Sequence, residues 1–495
     1  MHPLRNLTIK SFHEGLMTKK FSALEATQAF FEHIKESDKS IGAYLSLNEE
    51  NAIKESEKVD LALAKGENLG LLAGVPLAIK DNILIKNLPA TAGSRSLEGY
   101  LASYDAGVIK KLKSEKAIFL GKANLDEFAM GSSTENSGFH LTRNPHDRER
   151  VPGGSSGGSV AAVASDQAVA ALGSDTGGSV RQPAGFCGVV GLKATYGSVS
   201  RSGLIAMASS LDQIGPITKT VGDAAVLFKA IAGGDQMDST NAGFNYGDEL
   251  LSLDLQKIRN LRVGVPDEYF ADGLEEEVKV ALQRTIEDLK GLKITFKKIS
   301  LPHTKYALSV YYVIMPAEVS SNLARFDGIR YSRIKGSDVG VSNVKDIYFK
   351  HRGDGFGAET KRRVILGTFV LSSGYYDAYY EKAQRVRSLI KRDFDEAFKQ
   401  VDVILTPVSP TRAFKIGEKV SDPLSMYLSD ILTIPANLAG LPAISIPVRT
   451  GEPYSRDNLP IGFQLIGRHF READILGLGQ MYEKMNEGNI KTKPG

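Results

Sequence analysis

The stretch Gly153-Gly-Ser-Ser-Gly-Gly-Ser159, followed by Gly173-Ser-Asp-Thr-Gly-Gly-Ser-Val-Arg-Gln-Pro183, decides how this chain is read. It places Ser155 and Ser179 in two Gly/Ser loops, 24 residues apart. Between the loops, Val160-Ala-Ala-Val-Ala164 is long enough for a short helix and Ala168-Val-Ala-Ala-Leu172 for a strand. The pattern is loop, helix, strand, loop, with Ser179-Val-Arg-Gln opening a further helix. Glycine lets backbone approach backbone at no steric cost. Consecutive N–H groups beside a helix N-terminus favour a negative charge.

Three anion chemistries compete for such loops. A phosphate-binding P-loop needs Lys-Ser/Thr after its last glycine, and neither Gly157-Gly-Ser-Val160 nor Gly178-Ser-Val180 has it. A dinucleotide loop needs Gly-x-Gly-x-x-Gly, a spacing absent from both. The third is an oxyanion hole with a nucleophilic serine at its edge, and Ser179 ends the loop Asp175-Thr-Gly-Gly. One such loop reads as a turn that only packs strands; two at this density favour catalysis.

A serine hydroxyl needs a proton acceptor. None of the eight histidines sits in an apolar, turn-bounded setting; His140 and His146 lie in the polar run 136–150. Lys80 follows Gly74-Val-Pro-Leu-Ala-Ile79, which reads as a buried strand. A lysine ending such a strand enters the interior, where desolvation lowers its pKa, and a neutral amine is a competent general base. The run alone also admits a lysine that snorkels outward and pairs with Asp81.

With Lys80, Ser155 and Ser179 separated by 75 and 24 residues, these motifs resemble the amidase signature family from about residue 20 to 485. The resemblance implies an α/β fold, the amidase-signature fold, with a large mixed β-sheet sandwiched between helical layers. It implies amide hydrolysis with Ser179 as nucleophile, Ser155 as bridging serine on a cis peptide after Gly154, and Lys80 as base. The implied oxyanion donors are the N–H groups of Thr176, Gly177, Gly178 and Ser179. The loop Asn124-Leu-Asp-Glu-Phe-Ala-Met-Gly-Ser-Ser lines the substrate pocket in that family, which makes Gly131 and Ser132 candidate substrate contacts.

Within the family, the second half is similar to the glutaminase subunits of tRNA-dependent amidotransferases. The similarity rests on Tyr311 to Tyr331, on Lys361-Arg-Arg-Val-Ile-Leu-Gly-Thr-Phe with Ser372-Ser-Gly-Tyr-Tyr-Asp-Ala-Tyr-Tyr380, and on Asp422-Pro-Leu-Ser-Met-Tyr-Leu-Ser-Asp430. It implies a chain that frees ammonia from L-glutamine inside a heterotrimer with partner subunits B and C. The ammonia would serve ATP-dependent conversion of Glu-tRNA(Gln) to Gln-tRNA(Gln), or of Asp-tRNA(Asn). ATP and Mg would lie on a partner subunit, tRNA would be held mainly by that partner, and this chain would carry no metal or cofactor of its own. A free amino acid is read by an Arg fork and an acidic partner. By resemblance, Arg363 holds the α-carboxylate, Asp430 the α-ammonium, and Tyr312 or its neighbour Tyr311 supplies a hydroxyl. On sequence alone, Lys361-Arg-Arg363 reads as a solvated helix face and Asp430 as a helix cap. The alternative function is a stand-alone amidase for small or acyl amides, which has no use for the charged pair. A non-catalytic scaffold is opposed by the intact Lys80, Ser155 and Ser179.

Composition bounds the rest. The 495 residues are 42% hydrophobic and 24% charged, ordinary for a globular protein. A net charge of +3 is too weak to argue nucleic-acid binding. A single cysteine excludes an internal disulfide framework and fits a reducing cytoplasm. Cys187 lies in Gly185-Phe-Cys-Gly-Val-Val-Gly and reads as packing. No apolar signal region opens the sequence, and no apolar run reaches a membrane-spanning length of about 18 residues. Neither a secretory signal nor a membrane association is expected, and the expected location is cytoplasmic.

Three regions follow: a helical arm over 1–67 packed on the core, one α/β domain over 68–490 and a tail over 491–495. In the arm, Ser22-Ala-Leu-Glu forms a capping box, and a second helix runs from 51 to about 65 before Gly66. Residues 137–152 read as a surface loop, and the composition shift near 233–260, which opens with a long loop at 233–243, is not a domain boundary. Strands are expected at 117–121, 261–265, 293–297 and 401–407, and 443–448 with 461–466 as a hairpin around a turn-rich insert. One long helix is expected over 375–400, with Tyr375, Tyr376, Tyr379 and Tyr380 as a core or interface stripe, and a closing helix over 471–486. Alternating β and α elements argue α/β.

Overall fold

The computed structural model describes residues 4–270, 273–331, 342–448 and 459–486. The described strands are β1 (Tyr44–Leu47), β2 (Pro76–Lys80), β3 (Ile118–Ala123), β4 (Ala170–Asp175), β5 (Val190–Lys193), β6 (Gln213–Thr218), β7 (Arg262–Pro266), β8 (Thr295–Ile299), β9 (Val403–Pro407), β10 (Ala443–Pro447) and β11 (Gly462–Gly467). They form one 11-stranded sheet in the order β1-β3-β2-β4-β6-β5-β10-β11-β9-β7-β8. The sheet is mixed: β2 runs parallel to β3 and β4, and β7 parallel to β8 and β9, while the other pairs are antiparallel.

Both faces of the sheet are covered. Successive strand residues point to opposite faces. On β9, Val403 and Leu405 join the apolar cluster that holds Phe12, Phe30 and Val160, whereas Ile404 joins the one that holds Ile314 and Phe394. The first cluster takes helices Ala23–Ile41 and Gly157–Ala164; the second takes Ala307–Asn322 and Lys382–Ala397. A sheet buried on both sides tolerates near-continuous apolar strands, and every residue of β2, β3, β4 and β9 is buried.

Most sequence expectations hold, with shifted ends. The capping box forms: the Ser22 hydroxyl accepts from Glu25 N–H at 3.0 Å, and the Glu25 carboxylate accepts from Ser22 N–H at 2.8 Å. The hairpin of β10 and β11 is antiparallel as expected; its insert at 449–458 and the tail at 491–495 lie outside the described residues. No helix of the described residues is long and apolar enough to cross a membrane.

Three expectations are corrected. The arm is not wholly helical, because Tyr44–Leu47 forms the edge strand β1 against β3; four residues are too few to show a period. The run 137–152 is not all surface, since Asn144 is buried and donates to the carbonyls of Val151 at 3.2 Å and Phe186 at 3.0 Å. The helix expected over 375–400 begins as a π turn at Tyr376–Glu381 and becomes α-helical only over Lys382–Ala397. The wider turn stacks Tyr375 on Tyr379 and sets Tyr376 against Tyr380 at a tilt, and leaves Tyr375, Tyr376 and Tyr379 exposed.

Candidate active site

Strand ends deliver the chemistry. β2 and β4 are parallel neighbours, so Lys80 at the end of one and the 176–179 loop at the end of the other emerge side by side. The all-apolar strand β2 carries Lys80 into the interior, fully buried. Its amine lies 2.8 Å from the hydroxyl of Ser155, 2.8 Å from that of Ser156, 2.9 Å from that of Ser174 and 3.2 Å from the Ser174 carbonyl. Burial pulls the Lys80 amine down to about 7, against the opposing charges of Asp126, Asp175 and Asp212. A neutral amine offers two N–H groups and one lone pair. The Ser156 hydroxyl already donates to the Ser174 carbonyl at 3.1 Å, so its proton is committed. The Ser155 hydroxyl has no such acceptor among the described residues and can donate to the lone pair. Asp81 does not pair with Lys80: its partners are Lys122 at 3.1 Å and the Thr91 hydroxyl at 2.5 Å.

The Gly154–Ser155 peptide is cis, as the resemblance implied. Ser179 comes to the Ser155 turn through the backbone, where Ser156 N–H donates to the Ser179 carbonyl at 3.1 Å. The hydroxyls of Ser155 and Ser179 share no hydrogen bond among the described residues. Of the four expected oxyanion donors, Gly178 is already engaged: its N–H donates to the Asp175 carboxylate at 2.9 Å. The N–H groups of Thr176, Gly177 and Ser179 have no protein partner among the described residues and remain the available donors. Gly178 is held at φ +139°, and a Cβ there would run into the Thr433 side chain, so only glycine fits.

Behind the loop stands a network that the sequence reading missed. Arg181, wholly buried, forks onto Asp175 at 3.0 Å with both Nε and Nη2, and reaches the side chains of Gln464 and Asn437 and the Thr433 carbonyl. Burial alone would raise the Asp175 carboxyl, but the Arg181 guanidinium, together with Lys193 and the Asn437 hydrogen bond, more than offsets this and holds it well below the usual range. Asp175 in turn accepts from the N–H groups of Gly178 and Val180, so the ion pair shapes the nucleophile loop. Removing one partner of a buried pair strands the other charge. Arg181→Leu should therefore lower unfolding stability by about 3–5 kcal/mol, read as a lower denaturation midpoint in urea; an unchanged midpoint would remove this role. Asp175 and Arg181 were visible in the sequence as an acid and a base six residues apart, but Asn437 and Gln464 carried no local signal.

The expected substrate residues converge from distant segments. The Ser132 hydroxyl donates to Asp430 Oδ2. Asp430 Oδ1 is buried without a partner among the described residues and lies 3.4 Å from the Cβ position of Gly178, beside the nucleophile loop. Burial pushes the Asp430 carboxyl up to about 7, with the Ser132 bond opposing. Asp430 caps no helix with its side chain. Gly131 packs directly on the Asp126 carboxyl group, which leaves no room there for a Cβ.

Arg363 is buried, unlike exposed Lys361 and Arg362, which corrects the reading of a solvated face. Its guanidinium lies beside the stacked rings of Tyr312 and Tyr427, 5.3 and 5.4 Å from their centroids. Its Nε donates to Glu359 at 2.7 Å and its Nη1 reaches the Met315 sulfur at 3.5 Å. Nη2 has no partner among the described residues. The two tyrosines divide the labour: Tyr312 stacks on Tyr427 at 3.9 Å, while the Tyr311 hydroxyl lies 2.8 Å from the Cβ position of Gly177. Tyr311 is thus the one against the nucleophile loop. Cys187 is buried with its thiol pushed up by desolvation, as packing requires.

A serine at the edge of a nest of N–H groups, a second serine and a buried amine near neutrality are the parts of an acyl-transfer hydrolase. The chain belongs to the amidase family, whose family model, described as Amidase, matches residues 25–476. It is 54% identical over 488 residues, 99% of each chain, to the A subunit of glutamyl-tRNA(Gln) amidotransferase from Carboxydothermus hydrogenoformans. It is 52% identical over 487 residues, 98% of each chain, to the A subunit of the same enzyme from Geobacillus thermodenitrificans. Among solved structures, the glutamyl-tRNA(Gln) amidotransferase A subunit of Thermotoga maritima is similar at a TM-score of 0.78 and 45% identity, covering 97% of this chain and 95% of that one. The peptide amidase of Stenotrophomonas maltophilia is similar at a TM-score of 0.81 and 25% identity, covering 98% of each chain.

Proposed function

We propose that this chain is the glutaminase (A-type) component of a tRNA-dependent amidotransferase, releasing ammonia from L-glutamine through an acyl-enzyme on Ser179. The observation that carries this reading is a pair of buried polar side chains: Arg363, whose Nη2 no described residue engages, and Asp430 beside the serine loop, whose Oδ1 no described residue engages. A hydrophobic amide leaves both without a partner; the α-carboxylate and α-ammonium of glutamine satisfy both. Full-length similarity to glutamyl-tRNA(Gln) amidotransferase A subunits supports the same choice.

In this reading the steps are these. Neutral Lys80 takes the proton of Ser155, which takes that of Ser179, and Ser179 Oγ attacks the amide carbon. The oxyanion settles on the N–H groups of Thr176, Gly177 and Ser179. The relay returns its proton to the leaving nitrogen, the C–N bond breaks, and ammonia departs. Water then adds to the acyl carbon, the same relay accepts its proton and hands it to Ser179 Oγ as the C–Oγ bond breaks, and glutamate leaves. The chain acts in a complex with other subunits. Subunits B and C complete a heterotrimer in this reading, and the B-type partner holds ATP, Mg and tRNA and uses the ammonia to convert Glu-tRNA(Gln) to Gln-tRNA(Gln).

The test compares ammonia release from L-glutamine and from a simple aliphatic amide, with Ser179→Ala as the blank, on the complex. Preference for glutamine supports the reading; preference for the simple amide replaces it with a stand-alone amidase. Arg363→Ala should raise KM for glutamine roughly 10- to 100-fold with kcat little changed, charged hydrogen bonds being worth about 1.5–3 kcal/mol. An unmoved KM would sink the role of Arg363.

A further inference from the structure

Arg363 and the catalytic serines come from distant parts of the chain, yet one turn touches the surroundings of both. In the turn Glu127–Ala129, which follows Asp126, Phe128 and Ala129 adopt φ of 49° and 63°. Left-handed backbone is uncommon for residues with side chains and persists where the surroundings enforce it. On one side, the Asp126 carboxylate accepts from Thr134 N–H at 2.8 Å and Asn136 N–H at 3.1 Å. It is packed so closely on the residue before Ser155 that a Cβ on Gly154 would collide with it.

Glu127 faces the other way. Its buried carboxylate accepts from the Ser94 hydroxyl at 2.5 Å, from Gly357 N–H at 2.8 Å and from the Thr360 hydroxyl. Gly357 is the N-cap of helix Ala358–Val370, which carries Arg363, and it supplies no side-chain cap. The first turn of a helix leaves N–H groups unpaired and carries a partial positive charge. Glu127 caps that turn from a different part of the chain. The Phe128 ring adds a second attachment, edge-on to Phe356 at 5.7 Å, just before the same helix.

We propose that Glu127 is a positioning residue for the α-carboxylate of glutamine: it anchors the Arg363 helix to the turn that braces Gly154–Ser155 and so fixes the span between guanidinium and nucleophile. This rests on the reading of Arg363 as the carboxylate clamp. The charge of Glu127 matters because three donors converge on two oxygens; a glutamine there offers one oxygen and turns N–H groups toward donors.

The test uses the full chain in its complex, with ammonia release measured from L-glutamine and from 4-aminobutanamide, which is glutamine without its α-carboxylate. Glu127→Gln should raise KM for glutamine roughly 10-fold, the effect of a slightly misplaced binding group, with kcat within about twofold and kcat/KM for 4-aminobutanamide unchanged. Thr360→Val, which deletes one of the three donors, should move KM the same way by a smaller factor, and it decides the matter if Glu127→Gln does not fold. A fall shared by both amides with KM for glutamine unmoved would mean a merely structural role and overturn the proposal, as would unchanged kinetics. Arg363→Ala run alongside separates the two ideas. If it raises KM while both other variants leave KM alone, positioning by Glu127 fails and the clamp stands; if it leaves KM unmoved, both fail.

Discussion

Ser179→Ala is expected to lower kcat for ammonia release by at least about 10⁴-fold, the scale on which enzymes lose activity when a covalent nucleophile is removed. The change deletes one oxygen at a site where no described hydrogen bond depends on that hydroxyl, so loop geometry should persist. The N–H groups of Thr176, Gly177 and Ser179 stay in place, and Arg363 and Asp430 are untouched. Glutamine should therefore still bind, with a calorimetric Kd within a few-fold of the parent KM, while no glutamyl adduct appears by mass spectrometry. Turnover that survives at more than about one part in a hundred would mean that water attacks directly and that Ser179 is not the nucleophile.

Lys80→Met is expected to cost about 10³-fold in kcat, within the 10²–10⁴ typical of a general base. The pH profile carries the sharper information. The Lys80 amine is pulled to about 7 by burial, with Asp126, Asp175 and Asp212 opposing. It works as a base only when neutral, so kcat/KM should rise with pH and level off above about 7. Lys80→Arg keeps a cation that does not deprotonate and should be inactive across the whole range. If the limb near pH 7 persists in Lys80→Met at reduced height, another group owns it. Asp430, pushed to about 7 by burial, is then the one to test with Asp430→Asn.

The parts that could be read from sequence are those whose physics is local. Glycine density gave the two loops, and an apolar run gave β2 and its terminal lysine. Ser22 and Glu25, three residues apart, gave a cap. The parts that could not be read depend on register or on remote partners. Asp81 pairs with Lys122 only because β2 and β3 lie side by side. Tyr311 and Tyr312 are adjacent on one helix, and which faces Gly177 depends on how that helix is rotated against the sheet. Arg363 looks solvated next to Lys361 and Arg362 until the stacked rings of Tyr312 and Tyr427 pack beside it. Glu127 sits in a motif that reads as a pocket-lining loop, but its partners Gly357 and Thr360 are more than two hundred residues away.

The strand order has a consequence for how the protein is made. The triad belongs to the first six strands, but β5 and β9 meet only through the hairpin of β10 and β11, which lies near the end of the chain. During synthesis, a ribosome would expose Lys80, Ser155 and Ser179 long before that hairpin exists. In the meantime β5 and β9 present open edges, the kind that recruit foreign strands. Pairing across such separations is slow, so these edges stay open until the last segment arrives. Asn437 and Gln464, the distant partners of Arg181, arrive with that segment. The Arg181–Asp175 network that shapes the nucleophile loop is therefore completed late in synthesis.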